Sequence, residues 1–147
     1  MIWRVLDDRL NVFLAALLAG QAVSNLVRRE FEAAGVPLTA WGLLVHVEEH
    51  RRVAPSQLAA ETGVTPTTIR DQVQALVDRG ALRRLPNPDD NRSYLLELTA
   101  AGRSDLRKGR AATAIAEALL ARELGMSLEE ARRFLLALRD AGRAALG

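Results

Sequence analysis

One short segment has the residue types of a metal-dependent hydrolase. His46, Glu49 and His50 fit the H-x-x-E-H pattern, in which two histidines one helical turn apart bind zinc and the glutamate acts as a base. A catalytic zinc site also needs a third protein ligand and a substrate cleft, and no later segment is patterned to supply them. The favoured interpretation is two ordinary histidines, with a regulatory two-histidine metal site or a hydrolase as alternatives. We expect no catalytic residue, no metal and no cofactor.

A second group of residues has the chemistry of nucleic-acid recognition. Residues 65–79 are predicted to be helical, and at 100° per residue Ile69, Val73 and Leu76 face one side. The opposite side and its flanks carry hydroxyl, guanidinium, amide and carboxylate groups, which hydrogen-bond phosphates and base edges. The candidate DNA-binding residues here are Thr65, Thr67, Thr68, Arg70, Asp71 and Gln74. A solvated surface helix without further function is the alternative.

Arg92 is a separate candidate, because it follows a run of turn-forming residues at 86–91. The tip of a hairpin is narrow enough to enter the minor groove of DNA, whose negative potential attracts arginine. The two acidic residues before it could hold its side chain by ion pairing, or Arg92 could simply neutralise them. Two arginines at the base of the hairpin either contact phosphate or solvate an edge strand. These supporting residues are Asp89, Asp90, Arg83 and Arg84.

Composition alone does not indicate a nucleic-acid partner. The 147 residues carry 20 basic and 18 acidic side chains, a net charge of only +2. Any contact with nucleic acid must therefore depend on where the arginines lie. The absence of cysteine excludes disulfides, thiolate zinc sites and catalytic thiols. The length fits a single domain, 1–147, and a cytoplasmic location is expected.

The sequence begins with a strongly apolar segment. Spacings of four and three residues predict one long helix over residues 3–34, ended by Gly35 and Pro37. Its stripe comprises Leu6, Leu10, Phe13, Leu17, Gly20, Ser24, Val27 and Phe31. The other faces are also apolar, so we expect a second copy of the chain to cover this helix. The apolar run 12–19 is too short to span a bilayer and lacks a positive leader, so neither a membrane anchor nor an export signal is expected.

The remaining segments predict a mainly α fold with a small β-hairpin, of the α+β class. The predicted helices are 40–49, 55–62, 66–79, 100–124 and one from 127 onwards, and the predicted strands are 81–85 and 92–98. Two short helices followed by a hairpin are typical of a winged helix-turn-helix, here residues 39–98.

Local signals place the ends of these elements. Gly63 suits the left-handed backbone of the turn between the two short helices, and Pro66 suits a first helical position. The predicted N-caps are Thr39, Thr65, Thr99 and Ser127, the last within a capping box.

Over nearly the whole chain, these segments resemble the MarR family of bacterial transcriptional regulators. The family's wing carries Asp-x-Arg, matched here by Asp90 and Arg92, and its hairpin ends in Leu-Thr-x-x-Gly, matched at residues 98–102. Residues 57–59, 63–65 and 68–69 of the helix-turn-helix and residues 88–93 of the wing add to the resemblance. Arg70 and Asp71 stand where many members have Thr-Arg, so the resemblance does not extend to an operator sequence.

The resemblance implies a homodimer, joined through residues 1–34 and 100–147, on a pseudo-palindromic operator in double-stranded DNA. The helix at 65–79 would enter the major groove and Arg92 the adjacent minor groove. Such regulators usually repress a neighbouring gene and are released by a small, often aromatic effector. The effector would bind where the first, second and fifth helices meet, near Trp41, which a core position explains equally well. A winged helix that binds another protein instead of DNA is the alternative.

Overall fold

The computed structural model describes residues 11–146. In this part of the chain it has six helices and one two-stranded antiparallel sheet, which confirms the predicted mainly α fold with a β-hairpin. The helices are α1 (Val12–Ala34), α2 (Leu38–His50), α3 (Pro55–Thr62), α4 (Pro66–Asp78), α5 (Ala100–Glu123) and α6 (Leu128–Ala145), and the strands are β1 (Leu82–Pro86) and β2 (Tyr94–Leu98). None of these helices is long and apolar enough to cross a membrane.

The sequence predicts one unbroken helix over residues 3–34, but Asn11 interrupts it. Asn11 has an extended backbone, and its side-chain oxygen accepts a hydrogen bond from the Leu14 N–H (3.0 Å), so α1 begins at Val12. Leu6 and Leu10 of the predicted stripe lie outside the described residues. At the other end, Gly35 adopts a left-handed backbone (φ 69°), which confirms the predicted stop.

Three of the four predicted N-caps are confirmed. The side chains of Thr65, Thr99 and Ser127 each accept a hydrogen bond from the backbone N–H three residues later, and Glu130 completes the predicted capping box with Ser127. A cap of this kind typically contributes about 1 kcal/mol.

The predicted cap at Thr39 is wrong. α2 begins at Leu38, and Pro37 occupies the N-cap position without a side-chain hydrogen bond. The Pro37 carbonyl already accepts the N–H groups of Ala40 and Trp41, so the helix has started before Thr39.

The hairpin packs on the short helices through one shared core. Buried side chains from α2, α3, α4, α5 and both strands form it, including Leu44, Val47, Leu58, Ile69, Val73, Leu82, Leu96 and Leu106. Val53, in the link between α2 and α3, exchanges two backbone hydrogen bonds with Leu96 (3.2 and 2.8 Å). This bridge, which the sequence does not predict, fixes the hairpin against the helices.

The strand pairing runs from Leu82 opposite Leu98 to Pro86 opposite Tyr94. β1 is thus shifted one residue from the predicted 81–85. β2 is two residues shorter than the predicted 92–98, because Arg92 and Ser93 belong to the loop.

Two helices keep large apolar side chains on the surface. α1 packs along α5, yet Phe13 and Leu17 are 77% and 71% exposed. α6 has no buried residue, and its Phe134 is 62% exposed. Water disfavours an apolar surface of this extent, so such a surface usually marks a contact with another molecule.

We expect Gly102→Ala to destabilise the fold, because a Cβ at this position would collide with the backbone carbonyl of Ala81. Overpacking of this kind costs about 1–3 kcal/mol. Gly42→Ala in α2 is the matched control: no other part of residues 11–146 lies within 4 Å of its Cβ position, so it should instead stabilise by about 0.5–1 kcal/mol. Urea unfolding of the two variants measures both changes, and equal effects would contradict the tight contact at Gly102.

Candidate nucleic-acid interface

The orientation of α4 follows from its apolar residues. Ile69, Val73 and Leu76 are buried in the core, as the helical periodicity predicts. The six polar candidates lie on the surface of the same helix or its cap: Thr65, Thr67, Thr68, Arg70, Asp71 and Gln74. The polar side of α4 is therefore open to a ligand.

The turn before α4 is held by backbone geometry and hydroxyl groups. Gly63 has the left-handed backbone that the sequence predicts (φ 68°), and the Thr62 hydroxyl accepts the Val64 N–H (3.3 Å). Thr65 caps α4 and its hydroxyl lies 2.9 Å from the Thr68 hydroxyl. These contacts give Thr65 a structural role at the start of the helix.

Arg92 lies in the wing loop, residues 87–93 between β1 and β2, and the ion pair that the preceding acidic residues could form with it is not made among the described residues. Asp90 Oδ1 accepts the backbone N–H of Arg92 (2.9 Å), and the Asp90 carbonyl accepts the N–H of Ser93 (3.0 Å). Within residues 11–146 the Arg92 guanidinium forms no ion pair. The carboxylate thus shapes the loop and leaves the guanidinium to the surface.

The rest of the loop is tied by amide and hydroxyl groups. Asn87 donates from its side chain to the Ser93 hydroxyl (2.7 Å) and accepts the backbone N–H of Asp89 (3.1 Å). Asp89 therefore contributes its backbone to the turn.

The two arginines of β1 have different partners. Arg83 pairs with Glu97 on β2 (Nε to Oε2, 2.7 Å), which also accepts from Arg52 (3.1 Å). Arg84 donates to the Gln74 side chain on α4 (2.7 Å) and lies 4.9 Å from the centre of the Tyr94 ring. Arg84 therefore connects the wing to α4, whereas Arg83 shares the Glu97 carboxylate with Arg52 at the base of the hairpin.

A cleft of about 270 Å³ lies between α4 and the wing. Arg70 enters it from α4, Arg92 from the wing and Ser56 from the first turn of α3; Pro55, Pro66, Ser93 and Tyr94 complete the lining. No carboxylate lines the cleft, and neither arginine forms an ion pair within the described part of the chain. Two uncompensated guanidinium groups in one cleft favour an anion such as a phosphate.

The end of α4 carries a contact that the sequence does not predict. Arg79, its C-cap residue, donates to the Asp105 carboxylate on α5 and to the Gly35 carbonyl at the end of α1. Arg79 and Asp105 are 26 positions apart and belong to no local motif.

The histidine pair of the hydrolase pattern is divided between two partners. His50 Nε2 lies 2.8 Å from Glu61 on α3, whereas His46 Nδ1 lies 3.9 Å from Glu49 in its own helix. Hydrogen bonds from Gln57 and His50 lower the pKa of Glu61. Over residues 11–146, no three His, Asp or Glu side chains are grouped to hold a metal ion.

Trp41 fills the junction of α1, α2 and α5. Its ring meets Phe31 edge to face (centroids 5.3 Å apart), and its indole N–H donates to the Leu106 carbonyl (3.3 Å). Trp41 does not line the cleft of about 710 Å³ that α1 forms with α5 and α6, or the cleft of about 380 Å³ that α1 forms with the start of α2. The half-buried ring thus packs against both buried clusters of the structure.

Comparisons with known proteins agree on one family. The family model described as MarR family matches residues 34–93. A probable transcriptional regulator from Pseudomonas aeruginosa is 30% identical, with a TM-score of 0.73 over 86% of this chain and 95% of that one. A mutant MarR from E. coli, solved in complex with operator DNA, is 18% identical, with a TM-score of 0.77 over 92% of this chain and 96% of that one.

YusO from Bacillus subtilis is 21% identical, with a TM-score of 0.64 over 98% of this chain and 96% of that one. No curated protein matches.

The stability of the hairpin should depend on pH through Glu97. Hydrogen bonds from Arg83 and then Arg52 hold its pKa below the ordinary 4.5. A carboxyl group with a lowered folded-state pKa stabilises the fold above its unfolded-state pKa, and this contribution is lost as the pH falls through the folded-state value. The midpoint temperature of thermal unfolding should therefore fall less steeply from pH 7 to pH 3 in Glu97→Gln than in the parent. Parallel curves for the two proteins would contradict this role of Glu97.

Proposed function

Because this chain belongs to the MarR family of transcriptional regulators, we propose that it binds a pseudo-palindromic operator in double-stranded DNA as a homodimer. In this proposal it acts in the cytoplasm as a repressor, and a small, often aromatic effector releases it. α4 enters the major groove and the wing loop places Arg92 in the adjacent minor groove.

The observation that carries this proposal is the cleft between α4 and the wing. Arg70 and Arg92 reach it from two different elements, and neither is paired with a carboxylate within residues 11–146. Phosphate is the anion that a DNA backbone presents to such groups. The similar fold of the E. coli MarR mutant, which was solved with operator DNA, also favours this partner.

The polar side of α4 supplies the proposed contacts with DNA. Thr67 and Asp71 are exposed on it, and Asp71 can accept a hydrogen bond from a cytosine amino group. Gln74 already binds Arg84, so it would contact DNA together with that wing residue. Thr65 and Thr68 lie at the start of α4, where backbone and hydroxyl groups suit phosphate. Asp89 and Asp90 shape the loop that presents Arg92.

The proposed homodimer is supported by the exposed apolar side chains of α1 and α6. Phe13, Leu17, Phe134 and Leu135 would be buried against a second copy. Joining two copies through α1, α5 and α6 leaves α2 to α4 and the hairpin free for DNA. Half-sites of a two-fold operator lie one helical turn apart, about 34–36 Å.

The effector is proposed to bind at a cleft bordered by α1. Because Trp41 fills the junction first proposed, we favour the neighbouring cleft of about 380 Å³ at the end of α1, whose lining includes Arg28, Phe31, Glu32 and Pro37. Apolar side chains beside one guanidinium and one carboxylate suit a small aromatic ligand with polar substituents.

Two other functions, a metal-dependent hydrolase and a module that binds only protein, are weaker candidates. The fold and the family are those of transcriptional regulators and not of enzymes, and the two histidines have separate carboxylate partners. A winged helix that binds only protein does not account for two arginines in one cleft that have no carboxylate partner among the described residues.

Arg92→Ala should weaken binding to a duplex carrying the operator and should lower the slope of log K against log salt by about one unit, because one phosphate-neutralising cation is lost. Arg122→Ala is the matched control, since this exposed arginine at the end of α5 pairs only with its neighbour Glu123 among the described residues. Fluorescence anisotropy at several salt concentrations measures the slope. A slope for Arg92→Ala equal to that of the parent would contradict the role of the wing.

Leu17→Glu and Phe134→Glu should each convert the homodimer into single chains, because a buried unpaired carboxylate opposes association. Ala60→Glu on the surface of α3 introduces the same charge outside the two apolar helices and should leave the dimer intact. Sedimentation equilibrium measures the mass. A dimer retained in both variants, or a parent protein that sediments as a single chain, would contradict the proposed assembly.

A further inference from the structure

Arg79 joins the end of α4 to two other helices. Its Nε donates to Asp105 Oδ2 (2.7 Å), and its Nη2 donates to Asp105 Oδ1 (3.3 Å) and to the Gly35 carbonyl (2.7 Å). The Arg79 guanidinium therefore links the end of α4 to α5 and to the residue that ends α1. We call this group of three residues the Arg79 clamp.

The clamp is costly to break because its acidic member is buried. Asp105 is only 7% exposed and is the one charged residue buried within residues 11–146. A buried carboxylate is stable only when it is paired, so loss of Arg79 would leave an uncompensated charge. The hydrogen bond that Arg79 donates to Asp105 in turn raises the pKa of Arg79 above its ordinary value.

The geometry of the clamp restrains orientation as well as distance. Two planar N–H groups of Arg79 meet two carboxylate oxygens, and this forked arrangement fixes the angle between the partners. Core packing against α2, α3 and β1 holds the apolar side of α4. The clamp adds a directional restraint at its C-terminal end, toward α1 and α5.

We propose that the Arg79 clamp sets the orientation of α4 relative to α1 and α5, which makes Arg79 and Asp105 positioning residues for DNA binding. This inference rests on the proposed function, in which α1 and α5 belong to the dimer interface. In such a dimer, a rotation of α4 against these helices changes the separation of the two copies of α4. Binding to two half-sites at once depends on that separation, whereas binding to one half-site does not.

The orientation itself can be measured without DNA. The sequence has no cysteine, so Asp71→Cys on α4 and Arg107→Cys on α5 accept one spin label each. Labelled chains mixed with a large excess of unlabelled chain report the distance within one chain by pulsed dipolar spectroscopy, whether or not the protein dimerises. We expect a narrow distance distribution in the parent and a broader or shifted one in Asp105→Asn and Arg79→Lys.

The matched control is Glu48→Gln. It removes the ion pair between Glu48 and Arg110, which joins α5 to α2 without contacting α4. The distance distribution should be unchanged in this variant. A distribution in Asp105→Asn that equals the one in Glu48→Gln would overturn the proposal.

The consequence for DNA binding is measured on two duplexes selected from random DNA, one with two half-sites and one with a single half-site. Asp105→Asn should lose about tenfold in affinity for the two-site duplex and keep its affinity for the single site. A purely structural loss would weaken both duplexes equally, and that result would also overturn the proposal. If the parent binds neither duplex, the proposed function fails, while the distance measurement still decides whether the clamp orients α4.

Discussion

The burial of one side of α4 decides which of its residues can meet a ligand. Ile69, Val73 and Leu76 lie in the core, so the side chains on the opposite side face outward without any further device. The same core includes Leu96 of β2, which Val53 binds through its backbone. Because helix and hairpin share this core, Arg70 of α4 and Arg92 of the wing line the same cleft.

The positions of the carboxylates determine which arginines remain available to a ligand. The chain has a net charge of only +2, so its overall field attracts DNA weakly. Glu97 pairs with both Arg83 and Arg52 at the base of the hairpin, and Asp105 pairs with Arg79 at the end of α4. Asp90, by contrast, binds the backbone of the loop and leaves the Arg92 side chain unpaired within the described residues. The local placement of carboxylates thus concentrates positive charge in the cleft between α4 and the wing.

Local features of this fold are predictable from the sequence, and long-range contacts are not. The caps at Thr65, Thr99 and Ser127 depend on a side chain and an N–H three residues away, so a short motif suffices to find them. Thr39 fails as a cap because Pro37 has already started the helix, and two adjacent start signals compete.

The apolar side of α4 follows from its period, and with it the outward polar residues of the candidate site. The contact between Arg79 and Asp105 spans 26 positions, and no periodicity relates the two residues. The partner of the Asp90 carboxylate is also not predictable from the sequence, because a carboxylate beside Arg92 can bind either its guanidinium or its backbone N–H.

The proposed function depends most on contact of α4 and the wing loop with one and the same duplex. Amide chemical shifts of the ¹⁵N-labelled chain, followed while a selected duplex is added, test it directly. We predict that Thr67, Asp71, Arg92 and Ser93 shift together along one binding curve, while residues of α6 keep their positions. Shifts confined to α4, or shifts in α6 with an unperturbed wing, would contradict the account.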